Sequence, residues 1–218
     1  TGRLDFRSRG NIVEKCTQGF RILEIAQEVT FQGFFHMDRY VHNQTAIFIP
    51  PHATGTLAIT SALFAKNGLA ASLPHEMPVV LRCTTIAGGQ AGLQCGFPTD
   101  NLTIDHMVFA DLPIVANPRP AIHHSCFSNI SWPGTGNLNN TDPQLVLPYY
   151  KLAPTSPCID AGDPQTTLPD TDYEGDPRAS VSKLGGQALP DIGADEYVFR
   201  GSARKYGTPG FGYFNFFP

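Results

Sequence analysis

The segment SPCIDAGDP spans residues 156–164, and it is followed by DYEGDPR at 172–178 and DIGADEY at 191–197. Asp, Gly and Pro recur throughout these blocks, and all three residue types favour tight turns. The composition therefore predicts a loop-rich region over residues 133–200, which we term the closing segment. Within it we expect a structural role for four charged residues that bind turn amides or pair with each other: Asp160, Arg178, Asp191 and Glu196.

The same blocks resemble the segment that closes many secreted or surface-anchored proteins of the pectin-lyase-like superfamily. There, a run similar to SPCIDAGD, DxxGxPR and DIGAxEY follows the last coil and precedes an anchor of the choice-of-anchor type. The resemblance covers residues 137–197 strongly and the upstream sequence weakly. It implies an all-β fold, a single-stranded right-handed parallel β-helix, at an extracellular or cell-surface location. It implies little about activity.

A short apolar pattern recurs upstream of the closing segment. Two apolar residues separated by one position are followed by a bulky apolar pair and a Gly or Asn turn. The copies begin at Leu23, Leu57, Leu81, Leu102 and Ile122. From the second copy onward the spacing is 20 to 24 residues, which is the length of one β-helix coil. Residues 1–132 are therefore predicted to form about five or six coils.

Alternation within each copy predicts which side chains face inward. Leu57 and Ile59 would lie on one face of a strand, because strand side chains alternate between faces. Stacked coils would bury such residues in a continuous column. Phe64, Phe109 and Phe127 are expected to form an aromatic stack inside it.

Composition narrows the function classes. Charged residues make up 16% of the 218, the net charge is −4, and Gly (21) and Pro (19) are abundant. Few charges and many turn residues are typical of short strands joined by tight turns. The chain has no basic surface expected of a nucleic-acid-binding protein, and no apolar run long enough to span a membrane.

Four Asn-x-Ser/Thr sequons favour a secreted, glycosylated protein: Asn43, Asn101, Asn129 and Asn139. The alternative is that these tripeptides are coincidences of a polar composition.

Five cysteines allow two disulfides and one remaining thiol in an oxidising compartment. Cys83 with Cys95 and Cys126 with Cys158 are the candidate pairs. Buried free cysteines, packed as small apolar residues, are an equal alternative.

No cofactor is predicted, with calcium as the one alternative. Asp160, Asp163, Asp172 and Asp176 are the calcium candidates, because Ca²⁺ prefers oxygen ligands. Their spacing matches neither an EF-hand nor a nonapeptide calcium repeat, and the absence of a CxxC pair makes zinc improbable.

Candidate acid–base residues are His36 with Asp38, Asp105 with His106, and His123 with His124. Polysaccharide-cleaving members of the superfamily use carboxylates or basic groups as acid and base. Adjacent strand residues point to opposite faces, however, so Asp105 and His106 are expected to lie apart. We therefore expect no catalytic residues, and we retain carbohydrate binding or cleavage as the alternative function.

Residues 201–218 form a Gly-spaced aromatic tail that is an aggregation liability in water. We expect it to dock on a neighbouring copy or, equally, on its own domain. Together with the absence of a capping segment before the first coil, the tail predicts self-assembly into a fibre or surface layer. The predicted assembly residues are Tyr206, Phe211, Tyr213, Phe214, Phe216 and Phe217.

Overall fold

A computed structural model describes residues 2–22, 29–50, 53–73, 77–95, 101–111, 115–116, 120–179 and 188–198. The described residues are all-β and build a parallel β-helix, as predicted. The start of the first copy of the apolar pattern, at Leu23 and Ile25, and the whole aromatic tail lie outside them.

Three parallel sheets, A, B and C, run along the β-helix, and strands are numbered in chain order. Sheet A contains β1 (Gly2–Arg9), β4 (Val29–His36), β7 (Gly55–Thr60), β10 (Val79–Arg82), β13 (Leu102–Asp105) and β16 (Ile122–His123). Sheet B contains β2 (Ile12–Glu14), β5 (Arg39–Val41), β8 (Leu63–Ala65), β11 (Thr85–Ala87), β14 (Val108–Ala110), β17 (Cys126–Phe127) and β18 (Leu138–Asn139). Sheet C contains β3 (Gln18–Arg21), β6 (Thr45–Phe48), β9 (Leu69–Leu73), β12 (Ala91–Cys95) and β15 (Val115–Ala116).

Each coil supplies one strand to A, then B, then C. In the described part of the chain, five coils do so completely and a sixth contributes β16 and β17. A short antiparallel hairpin, β19 (Leu145–Val146) and β20 (Lys151–Leu152), follows in the closing segment.

The interior is built from columns of apolar side chains, one residue per coil. Ile59, Leu81, Ile104 and Ile122 occupy one register position in sheet A, and all four are buried. The third copy of the apolar pattern, read from the sequence as Leu81 and Cys83, is therefore shifted by two residues. Val79 and Leu81 are the inward pair, while Cys83 already lies in the corner after β10.

The predicted aromatic stack is present but interrupted. Phe109 and Phe127 stack with ring centroids 5.1 Å apart. Phe64 instead stacks on Tyr40, also at 5.1 Å, because Ile86 occupies the position between Phe64 and Phe109. All five side chains belong to one buried column of sheet B.

Two columns of left-handed residues turn the chain at the corners. Between sheets A and B, each coil has one residue with φ between 48° and 68°: Gly10, Met37, Ser61, Cys83, His106 and His124. Between sheets B and C the corresponding residues are Lys15, His42, Lys66, Gly88 and Asp111. Most are not glycine, although the left-handed region is unfavourable for L-residues. Their amides compensate by bonding to the next coil, as His106 N–H does to the His123 carbonyl at 3.2 Å.

The closing segment lies along the outer face of sheet B rather than over an end of the β-helix. Leu63, Val108 and Cys126, which point outward from sheet B, form a second apolar cluster with Tyr173 and Ile192. Contact is close at Gly193 (φ 113°), where a Cβ would lie 2.8 Å from a methyl group of Val108. The segment also contributes β18 to sheet B, so it is continuous with the coils it covers.

Candidate functional site

The outer face of sheet A carries a row of polar side chains, one from each coil. Parallel pairing places these residues at one register position. They are Arg9, His36, Thr60, Arg82, Asp105 and His123. The row contains three of the residues predicted as acid–base candidates: His36, Asp105 and His123.

Two members of this row, Arg82 and Asp105, form a hydrogen-bonded group with His106, which follows Asp105 in the chain. The Arg82 guanidinium donates to both carboxylate oxygens of Asp105, at 2.6 and 2.7 Å. His106 Nδ1 lies 3.1 Å from Asp105 Oδ1. Burial alone would raise the pKa of Asp105, but the hydrogen bonds from His106 and Arg82 outweigh it and hold the pKa below its ordinary value.

The expectation that Asp105 and His106 lie apart is wrong. It assumed that both residues belong to a strand, whereas β13 ends at Asp105. His106 occupies the left-handed corner position with φ 54°, and this turn directs its ring back to the carboxylate.

His106 also holds the closing segment. Its Nε2 accepts the backbone N–H of Asp163 at 2.8 Å, so the ring proton resides on Nδ1 and is donated to Asp105. His124 stacks on His106 with ring centroids 5.5 Å apart, and His124 Nε2 lies 3.9 Å from Asp163 Oδ2. The two adjacent histidines diverge, because His123 faces out from sheet A and accepts the Thr135 amide at 3.0 Å.

His36 and Asp38 are engaged separately. His36 Nδ1 lies 2.9 Å from the Thr60 hydroxyl, and burial together with the nearby Arg9 lowers the His36 pKa. Asp38 is buried and accepts the Asn11 backbone N–H of the preceding coil at 2.8 Å. Both side chains therefore form contacts between neighbouring coils.

The carboxylates of the closing segment accept backbone amides, both from their own turns and from residues as far as 43 positions away. Asp172 is the most heavily used: Oδ1 accepts the amides of Glu174, Gly175 and Asp176 at 2.8, 2.8 and 2.9 Å, and Oδ2 accepts that of Glu196 at 3.0 Å. This residue shapes the turn that follows it.

Asp191, near the C-terminal end of the closing segment, also accepts backbone amides. Its oxygens accept the amides of Asp160 and Tyr197 at 2.7 and 2.6 Å. Burial and the neighbouring Glu196 carboxylate raise the Asp191 pKa. Asp195 accepts the Leu152 amide at 2.7 Å, and burial raises its pKa to about 7.

Arg178 connects the segment to itself and to the corner of sheet A. One guanidinium nitrogen donates to the Ala194 carbonyl at 2.7 Å and lies 3.3 Å from the Ser61 hydroxyl. The other lies 3.7 Å from Glu196 Oε2, and both side chains are buried. The predicted structural residues thus meet in one network.

The four calcium candidates are dispersed. Asp163 bonds the Gln165 amide and the Thr166 hydroxyl of its own turn, and the oxygens of Asp172 are occupied by amides. Within the ranges described, no three His, Cys, Asp or Glu side chains are grouped to hold a metal ion.

All five cysteines carry free thiols in the structure. Cys83 lies in a corner near Arg178 and Asp105, whereas Cys95 packs into the interior with sheet C, so the predicted Cys83–Cys95 disulfide is not formed. Cys126 and Cys158 do lie together in the cluster beneath the closing segment.

The sequons differ in exposure. Asn43 is 2% exposed, and its side-chain amide donates to the Val13 carbonyl and to Asn67 Oδ1 at 3.0 and 3.1 Å. A glycan on that nitrogen is incompatible with this packing. Asn101 and Asn129 are exposed, and Asn139 is half-buried, with its Oδ1 accepting the Trp132 amide.

Sequence reasoning missed Arg82, Ser61 and Asn67. The signal for two of them was spacing: Asn67 follows Asn43 by 24 residues, and Arg82 precedes Asp105 by 23, each about one coil. Polar residues one coil apart stack, as apolar ones do.

Comparisons with protein-family models, curated proteins and solved structures each found no match. The described residues contain no helix with the length and apolar character of a membrane span.

Proposed function

We propose that this protein is a non-catalytic structural module of the cell exterior that assembles into a fibre or surface layer. The observation that carries the proposal is the exposure of inward apolar side chains in the first coil. Leu4 occupies the register position of the fully buried Phe31, yet it is 48% exposed. Val13 of β2 occupies the position of Tyr40, which is 2% exposed, yet Val13 is only half-buried. At this end of the described residues the apolar interior is exposed, and another β-coil stacked on it would bury these side chains.

The polar groups support a structural role. Asp105, His106, Asp172 and Asp191 are committed to hydrogen bonds that fix the closing segment or its turns. Head-to-tail stacking of β-helices is a heterologous contact, which grows filaments when it does not close. The aromatic tail would add contacts to a neighbouring copy. Extracellular location is supported by the resemblance of the closing segment and by the exposed sequons at Asn101 and Asn129.

Negative-stain electron microscopy of the natively isolated protein, with mass analysis, tests the proposal. We expect filaments whose subunit mass exceeds that of the 23.7 kDa polypeptide because of attached glycan. Leu4→Lys should disperse them, while Val146→Lys, at an exposed apolar residue of the β19–β20 hairpin, should not. Discrete particles of unmodified mass in the native sample would contradict the proposal.

Carbohydrate binding is the alternative, and one groove favours it. A cavity of about 410 Å³ lies between sheet A and the closing segment, lined in part by Arg9, Phe34 and His36. Phe34 is 40% exposed and stacks near the His36 ring, with centroids 5.8 Å apart. An exposed ring beside hydrogen-bonding groups can stack on a sugar. Binding to a polysaccharide panel that Phe34→Ala abolishes and Tyr149→Ala leaves intact would favour this function over assembly.

A further inference from the structure

Two cysteines face each other where the closing segment meets the β-helix. Cys126 points outward from β17, the sixth strand of sheet B, and Cys158 lies in a turn of the closing segment. Both side chains are 0% exposed and belong to the apolar cluster that joins the two regions. The Cys126 thiol donates to the Thr141 carbonyl at 3.3 Å, and it is close enough to the Cys158 thiol to affect its pKa.

The backbone on each side is held in place. The Cys126 amide donates to the Met107 carbonyl of the preceding coil at 2.8 Å. Across the interface, the Cys158 carbonyl accepts the Ile192 amide at 3.0 Å. Gly193, which follows Ile192, packs against Val108, and Val108 is the register neighbour of Cys126 in sheet B. These contacts hold the two cysteines on facing sides of one interface.

We propose that Cys126 and Cys158 form a disulfide that links the last coil of the β-helix to the closing segment when the protein folds in the presence of glutathione disulfide. The inference rests on the oxidising compartment of the proposed function. One thiolate attacks a sulfur of glutathione disulfide and releases one glutathione. The second thiolate then attacks the mixed disulfide and releases the other. Two protein thiols lose two electrons and two protons, which are recovered in two glutathione thiols.

The bond forms before the closing segment docks. In the docked state, the hydrogen bond with Cys126 and burial raise the pKa of Cys158 far above its ordinary value, and the reactive thiolate is suppressed. Neither sulfur is accessible to glutathione there. Oxidation of the folded, reduced protein is thus expected to be slow, and oxidation during refolding fast.

The test refolds the full chain in a mixture of reduced and oxidised glutathione and digests it without reductant. Mass spectrometry should identify a peptide pair linked through Cys126 and Cys158. Because the bond closes a loop of about 30 residues, the oxidised protein should unfold at a temperature higher by roughly 10 °C than the same protein after reduction.

Two variants separate this link from a general effect of buried cysteines. Cys158→Ala should lose the gain in unfolding temperature on oxidation. Cys95→Ala, which removes a thiol buried elsewhere, should keep it. A refolded protein in which Cys126 and Cys158 both remain open to alkylation after unfolding, or in which another pair is linked, would overturn the inference. Filament formation is scored separately by microscopy, so loss of assembly does not mimic loss of the disulfide.

Discussion

The coils and the closing segment bury their backbones by different means. In the coils, strands of successive turns pair with each other, and side chains supply apolar columns. In the closing segment, as far as residues 133–179 and 188–198 show, regular pairing within the segment is limited to the β19–β20 hairpin and an isolated bridge, and buried carboxylates accept many of its amides. A buried amide needs a partner in either case. The comparison shows that order in the coils is distributed over many equivalent residues, whereas order in the closing segment depends on a few.

The largest effect is expected in the coil interior. Phe109→Ala removes a buried ring that stacks on Phe127, and it should lower the free energy of unfolding by about 4 kcal/mol. Chemical denaturation measures this change. Phe34→Ala deletes the same atoms from an exposed position and should cost far less. Equal losses for the two variants would contradict the assignment of the interior.

Asp172→Ala tests the closing segment. The substitution removes the acceptor of four backbone amides, and we expect a loss of about 3 kcal/mol together with exposure of the outer face of sheet B. Hydrogen exchange should show faster exchange at β11 and β14 than at sheet C. Asp170→Ala, in the same segment but exposed, is the matched control. Uniform exchange across all sheets would mean that the two regions do not unfold separately.

Asn67→Ala examines polar stacking inside the coils. Asn67 Oδ1 accepts the Asn43 amide at 2.9 Å, and its Nδ2 donates to the Tyr40 carbonyl at the same distance. Leaving these groups unpaired should cost about 2 kcal/mol. The exposed Asn101→Ala is expected to have no measurable effect on the unfolding temperature. A neutral Asn67→Ala would show that the ladder of asparagines is dispensable.

A further effect, on the pH dependence of stability, is expected at Asp195. Burial raises the pKa of Asp195 to about 7, above its ordinary value of 3.8, so the folded protein binds a proton that the unfolded chain has released. This contribution to stability is complete below about pH 4 and is lost as the pH rises through 7. Asp195→Asn should remove it. We expect the difference between wild type and variant to change by about 3 kcal/mol between pH 4.5 and 7.5.

The contribution of His36 to stability depends on pH in the opposite direction, so His36 serves as a comparison. Its pKa in the folded protein lies below the ordinary value, so its contribution is lost as the pH falls through that ordinary value of 6.5. His36→Gln should therefore improve relative stability at low pH, unlike Asp195→Asn. An identical pH profile for wild type and Asp195→Asn would contradict the burial of a protonated Asp195.

Periodicity explains which features were predictable. The coil length follows from the spacing of Leu57, Leu81 and Leu102, since every coil repeats the same need for inward apolar residues. The predicted pattern was shifted by two residues at Cys83 because the left-handed corner position, just past the end of the strand, can hold an apolar residue. Asp105 and His106 were misjudged for the same reason: a corner one residue long is not visible in an alternation pattern.

The closing segment shows what remained out of reach. Its turn chemistry was evident from Asp, Gly and Pro, but its position along sheet B was not. That position depends on contacts such as the Ala194 amide with Thr85 Oγ1 at 2.9 Å, between residues 109 apart in sequence. Such contacts have no period, and nothing in the local sequence of either partner encodes the other.

The amino-acid sequence by itself determined the all-β class, the coil repeat, the inward faces and the turn-rich character of residues 133–200, because each follows from local preference or a fixed period. Only the tertiary structure decided that Arg82, Asp105, His106 and the Asp163 amide meet, that Asn43 is buried, and that Cys126 faces Cys158. Those outcomes depend on how the irregular closing segment packs against the regular coils. This packing depends on many contacts across the shared interface and not on any local stretch of sequence.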